Sequence, residues 1–263
     1  MNSRLLILCA LAFAFCAEIS CAQTPAEAPA TSSAPAKLPE PLSTTTPDNT
    51  RYLNKPDLLS GCQSRVAAMK GQRCDIIFIG DSITELWLRT GKEIWEKSYV
   101  PRHALNFGIG GDKTQNVLWR LENLDIRDLK PKVAVILIGT NNGRNKPPEI
   151  ADGVKAVVAK TQAIFPGAKI ILVSILPSFR GRTIMPAVDE IIKNYADGKR
   201  IYWLDLVPLM PEVTTTSPDG KTELNWKGIG TRDRLHPDAT GYQIWSEAME
   251  PLLARLLAEG NTP

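Results

Sequence analysis

Five short apolar runs, at residues 75–80, 102–107, 132–139, 168–175 and 200–205, constrain this chain more than any other feature of its sequence. Runs this short and continuous suit strands buried on both faces, as in a parallel sheet. Helical periodicity fills the gaps between them. In residues 114–124, TQNVLWRLENL, Val117, Leu118, Leu121 and Leu124 fall on one apolar stripe. Residues 148–165 behave likewise and are stopped by Pro166-Gly167, and further helices are expected near 184–196 and 239–257. Such alternation predicts an α/β chain, a three-layer α/β/α sandwich around a five-stranded parallel sheet. Sheets of this kind hold their ligands beyond the carboxyl ends of the strands. Chemistry is therefore expected where the apolar runs stop.

The N-terminal segment reads differently. Arg4 precedes an uncharged apolar run from Leu5 to Ala17, and small residues close it at Ser20-Cys21-Ala22. This is the pattern of a secretory signal peptide over residues 1–22, and the run is too short to span a bilayer comfortably. A secreted or periplasmic protein follows, with no stable membrane insertion after cleavage. Residues 23–50 are dominated by Pro, Ala, Ser and Thr, lack the apolar surface to fold, and read as a flexible tether before a folded domain over 51–263. The net charge is +3 with no run of Lys or Arg, so composition gives no support for a nucleic-acid partner. Beyond the leader remain Cys62 and Cys74. An oxidising compartment permits them to pair, and the sequence leaves both a disulfide and two separate buried thiols open. Neither has the clustered His and Cys company of a metal site.

The ends of the runs carry a consistent set of side chains. The first ends in Gly80-Asp81-Ser82, the second in NFGIGGD (residues 106–112), the third in GTNNG (139–143); before the last helix comes RDRLHPDATGY, with Asp233 and His236. A serine hydroxyl needs a base to become a nucleophile, and histidine is the usual base near neutral pH. The chain has two histidines. His103 falls within the second run, where a structural role is expected. His236 lies in a polar loop three residues after Asp233, a spacing that lets the carboxylate reach its Nδ1–H. The N–H groups of Ser82 and Gly111 and the amide of Asn141 are candidate donors to an oxyanion. Taken singly, Ser82 is a helix cap, Gly110-Gly111 a turn, Asn141 a turn residue and Asp233-His236 a solvated loop pair. Together they describe acyl transfer.

These blocks resemble the GDSL/SGNH hydrolases, whose four blocks contribute Ser, Gly, Asn and His. GDSI (80–83) is similar to the first block, with Ile83 in place of Leu. FGIGGDKTQNVLWRLEN with VILIGTNN corresponds to the second and third, and DRLHP to the fourth. Within the family the chain is most similar to bacterial esterases like the catalytic subunits of platelet-activating-factor acetylhydrolase, over about Asp75 to Ala258. The resemblance implies a flavodoxin-like sheet and no metal or organic cofactor. It implies Ser82 as nucleophile, His236 as base and Asp233 as its orienting carboxylate. Ser82, Gly111 and Asn141 would form the oxyanion hole, and Asp81 would brace the turn under the serine.

From the same resemblance the acyl group is expected to be short, acetyl above all, on a small-molecule or glycan ester. The long connection 208–231 reads as irregular, and Leu224 and Trp226 in it are candidates for the leaving-group site or for a plain surface excursion. A lysophospholipase or thioesterase would use the same residues with a longer acyl pocket. A non-catalytic carbohydrate-binding protein on this fold is disfavoured by the presence of Ser82, Asp233, His236 and Asn141 together. The sequence says nothing of oligomeric state.

Overall fold

The computed structural model describes residues 42–216 and 220–259. The signal peptide expected over 1–22 and most of the tether expected over 23–50 lie outside them. Five parallel strands form the central sheet: β1 (Ile76–Gly80), β2 (Ala104–Gly108), β3 (Val133–Leu137), β4 (Lys169–Val173) and β5 (Ile201–Leu204), in the order β2-β1-β3-β4-β5. β1 is central to the site, pairing with β2 from Ile76↔Ala104 to Gly80↔Gly108 and with β3 from Ile76↔Val133 to Gly80↔Leu137. All three strands therefore end at the same level.

The two-residue period of a strand divides the apolar side chains between two cores. Ile77 and Ile79 of β1 point to one side with Leu105, Phe107, Ala134 and Ile136. Helices α2 (Asp57–Met69), α5 (Thr114–Asn123), α6 (Pro147–Ile164) and α7 (Met185–Ile192) cover that side, joined by Tyr52 of a short helix before them. Ile76 and Phe78 point the other way with Val133 and Val135. That side is covered by α8 (Ala239–Glu259) and by the chain after β1, which runs through α3 (Ser82–Glu85), α4 (Lys92–Ile94) and a π-helical turn at Trp95–Tyr99. Its core is aromatic. Phe78 meets Trp95 and Tyr99 edge-on with centroids 5.1 and 5.0 Å apart, and Trp87 lies 4.5 Å from Tyr242 and 5.2 Å from Trp245. Edge and tilted contacts suit the ring quadrupoles.

Three sequence expectations need correction. The chain just before α1 (Thr50–Asn54) is not tether: Thr44 is buried, its Oγ1 donates to Glu149 O at 2.6 Å, and Asp48 N–H bonds Gln115 O at 3.1 Å. A polar, proline-rich stretch needs no core of its own when its threonine and backbone groups find partners on α5 and α6. The 208–231 connection is not irregular throughout. It holds an antiparallel hairpin, β6 (Glu212–Thr216) with β7 (Thr222–Trp226), in which the consecutive β-branched residues Val213 to Thr216 support extended pairing. His103 does not lie within β2; it is an exposed residue in the left-handed region (φ 53°) just before the strand. Cys62 and Cys74 are both free and buried, which decides the open question in favour of two separate thiols.

Candidate active site

Gly80 closes β1 because nothing larger fits. A Cβ there would stand 2.1 Å from Thr84 Oγ1 and 2.3 Å from Leu137 O, so glycine lets α3 begin at once against the end of β3. Asp81 caps that helix: its buried Oδ1 accepts the Ile83 N–H at 2.9 Å. Burial pushes the Asp81 carboxyl up to about 7, against the lowering effect of the Ile83 N–H. Ser82 is the first residue of α3 and half-buried, so its hydroxyl and N–H both sit at the strand end.

The last loop delivers the imidazole. Asp233 Oδ1 accepts the N–H groups of Leu235 and His236 at 3.0 and 3.1 Å and shapes the turn, with Arg234 in the left-handed region at φ 51°. The other carboxylate oxygen, Oδ2, lies 2.6 Å from His236 Nδ1, and His236 Nε2 lies 2.8 Å from Ser82 Oγ. Asp233 can only accept when ionised, so Nδ1 carries the proton and Nε2 is left to accept from the serine hydroxyl. Burial would raise the Asp233 carboxyl, but the bonds from the His236 ring and the two N–H groups more than offset it and hold it below its usual range. The three side chains form one continuous hydrogen-bonded line.

The remaining candidates, Gly111 and Asn141, lie on two further loops. Gly111 adopts φ +77°, and neither its N–H nor that of Ser82 has a protein acceptor among the described residues. The Asn141 amide is oriented by bonds from Nδ2 to Asp112 O at 3.0 Å and toward Asp81 Oδ2 at 3.4 Å, while Arg180 Nη1 approaches its Oδ1 at 3.4 Å. The sequence-predicted set Ser82, Asp81, Gly111, Asn141, Asp233 and His236 is thus gathered at the ends of β1, β2 and β3. Leu224 and Trp226 fare differently. Trp226 is only 6 % exposed and packs in the aromatic-side core, and Leu224 is half-buried on β7 opposite Thr214. Trp226 also borders a cavity of about 360 Å³ with Ile175, Met185 and Met210, but Ser82, Asp233 and His236 do not line it.

Sequence reading missed the buried support beneath these loops. Arg120 of α5 is fully buried; its Nε bonds Asp112 Oδ2 at 2.8 Å, and its other nitrogens bond Phe107 O at 2.5 Å and Gly80 O at 3.1 Å. Burial alone would lower the guanidinium pKa, but the Asp112 carboxylate beside it raises it further, so the charge is kept. Tyr52 OH donates to the same carboxylate at 2.6 Å. The available signal was an arginine set directly within the apolar stripe of α5. Among the described residues no group of three or more His, Cys, Asp or Glu is arranged to hold a metal ion.

A serine, histidine and aspartate hydrogen-bonded in line at the strand ends of a parallel α/β sheet is the geometry that acyl-transferring hydrolases require. A profile of the GDSL-like Lipase/Acylhydrolase family matches residues 78–244. The chain belongs to that family and is a carboxylic ester hydrolase. It is 35% identical over 203 residues to the platelet-activating factor acetylhydrolase IB subunit alpha1 of Rattus norvegicus, covering 74% of this chain and 81% of the relative. The alpha2 subunit of Bos taurus is 36% identical over 193 residues, covering 72% and 80%. Among solved structures, a GDSL-like lipase from Bacteroides thetaiotaomicron shares the fold with a TM-score of 0.53 at 22% identity, covering 78% of this chain and 96% of that one. A carbohydrate esterase family 3 protein from Talaromyces cellulolyticus does so at 0.52 and 15%, covering 71% and 99%.

Proposed function

We propose that this protein is an exported serine esterase that removes short acyl groups, acetyl above all, through a Ser82-His236-Asp233 acyl-enzyme mechanism. In this reading Ser82 Oγ attacks the ester carbonyl as its proton passes to His236 Nε2, and Asp233 stabilises the imidazolium. The N–H groups of Ser82 and Gly111 and the Asn141 amide receive the oxyanion. His236 then protonates the departing alcohol, and water, activated by the same imidazole, releases the acid. The observation that carries this reading is the 2.8 Å separation of Ser82 Oγ and His236 Nε2, two residues 154 positions apart in the chain.

The acetyl preference is supported by the acetylhydrolase names of relatives at 35% identity. Export, and with it acetylated glycan as the natural substrate, is supported by the leader-like residues 1–22 alone. The experiment is a substrate panel on purified protein: p-nitrophenyl esters of rising chain length, acetylated xylan and acetylated glycerolipids. Highest turnover is expected on acetyl esters, with acetate released from xylan; Ser82→Ala is expected to stay folded and lose turnover and fluorophosphonate labelling. A peak at octanoyl esters or longer would overturn the acetyl assignment. Acetate released from glycerolipid alone would overturn the glycan assignment.

A further inference from the structure

The peptide between Gly110 and Gly111 is held from outside the four sequence blocks. Its carbonyl accepts a hydrogen bond from Arg51 Nη2 of α1, and its N–H, which belongs to Gly111, has no protein acceptor among the described residues. A peptide unit is planar, so whatever aims the Gly110 carbonyl also aims the Gly111 N–H in the opposite direction. The preceding peptide is fixed separately, by Gly110 N–H donating to Glu85 Oε2 at 2.9 Å. With glycine on both sides of the unit and Gly111 at φ +77°, sterics alone do little to resist its rotation.

Arg51 also occupies the space that glycine leaves. A Cβ on Gly111 would lie 2.6 to 2.9 Å from the guanidinium atoms. Its Nε stands 3.6 Å from Asp112 Oδ1, too far for a hydrogen bond, and Asp112 makes its close ion pair at 2.8 Å with Arg120 instead. The bond to Gly110 O is therefore the contact in which the Arg51 charge acts at short range. A cation bonded at an amide carbonyl draws charge from the amide and strengthens its N–H as a donor.

We infer that Arg51 is a positioning residue of the oxyanion hole: by holding the Gly110 carbonyl it aims and polarises the Gly111 N–H. This rests on Gly111 serving as an oxyanion donor, as proposed above. Arg51 lies at the edge of the segment that composition marks as tether, so the docked N-terminal arm becomes part of the catalytic apparatus.

The test compares Arg51→Gln, Arg51→Ala and Arg51→Lys on p-nitrophenyl acetate. Arg51→Gln is expected to lose about tenfold or more in kcat with KM within about twofold, less than deletion of a whole donor costs. Affinity for a trifluoromethyl ketone, which forms a tetrahedral adduct, is expected to fall in parallel, and millimolar guanidinium is expected to restore part of the Arg51→Ala rate. Arg51→Lys keeps a charged donor and is expected to keep most of the rate; it also serves as the folded comparison should the neutral variants prove unstable, in which case guanidinium rescue of its residual loss is the readout. A wild-type kcat in Arg51→Gln, or a loss that guanidinium leaves untouched, would overturn the inference. Ser82→Ala and Asn141→Ala run alongside separate the two readings. If both are impaired and Arg51→Gln is not, only this inference falls; if Ser82→Ala stays active, the serine mechanism itself falls.

Discussion

Asn141 shows how a single side chain arrives at the site already oriented. Its Nδ2 donates one N–H to Asp112 O at 3.0 Å and directs the other toward Asp81 Oδ2 at 3.4 Å, the long contact that an oxyanion would replace in the proposed mechanism. Preorganised donors stabilise charge that develops only at the transition state. Asn141→Ala is therefore expected to lower kcat by about 10²–10³ with little change in KM, measured by steady-state kinetics. A raised KM at unchanged kcat would assign the amide to ground-state binding. His236 and Asp233 were readable as a pair because their bonding is local: three residues apart, one carboxylate serves both the backbone turn and the ring. Arg51 and Arg120 were not, because each acts on carbonyls contributed by distant segments.

Among the elements, α5 does two things at once. Its apolar residues Val117, Leu118 and Leu121 pack on the sheet, and Arg120 reaches back to the ends of β1 and β2 through Gly80 O and Phe107 O. Removing one partner of a buried ion pair leaves the other charge stranded in a poorly polarisable setting. Arg120→Met is expected to destabilise the fold by about 3–5 kcal/mol, read from the urea midpoint; a loss under about 1 kcal/mol would show that the pair is not structurally needed. The strands were legible as short continuous apolar runs, and the helices α5 to α8 because their apolar residues recur at helical period. The β6–β7 hairpin and the docked arm before α1 were not. Their residues are mostly polar and owe their order to pairing and to partners elsewhere rather than to an apolar repeat.

At the scale of the folded unit, the five-stranded sheet stands between two different cores among the described residues, and polar groups near those cores tune stability with pH. Asp189 of α7 accepts the Ile175 N–H at 2.9 Å, and burial pushes its carboxyl up to about 8, helped by the nearby Asp205 and Glu190. The folded state then binds more protons than the unfolded chain, whose aspartates titrate near about 4. Stability contributed by the neutral carboxyl is present below that value and declines as pH rises toward about 8. Asp189→Asn keeps an acceptor for Ile175 and cannot ionise, so its Tm is expected to vary less with pH across this window than the wild-type Tm. Calorimetry at stepped pH reads the difference, and parallel profiles would refute it.

Local patterning was enough to predict an α/β sandwich and the chain order of its blocks, and to single out Ser82, Gly111, Asn141, Asp233 and His236 as candidates. It could do so because apolar period and short-range turn chemistry are written in neighbouring residues. Folding alone joined Ser82 to His236 across 154 positions, put Arg51 and Arg120 under the donor loops, drew Trp226 into a core and kept Cys62 apart from Cys74. Those outcomes depend on which surfaces meet when the layers pack, and no stretch of sequence specifies that by its own periodicity.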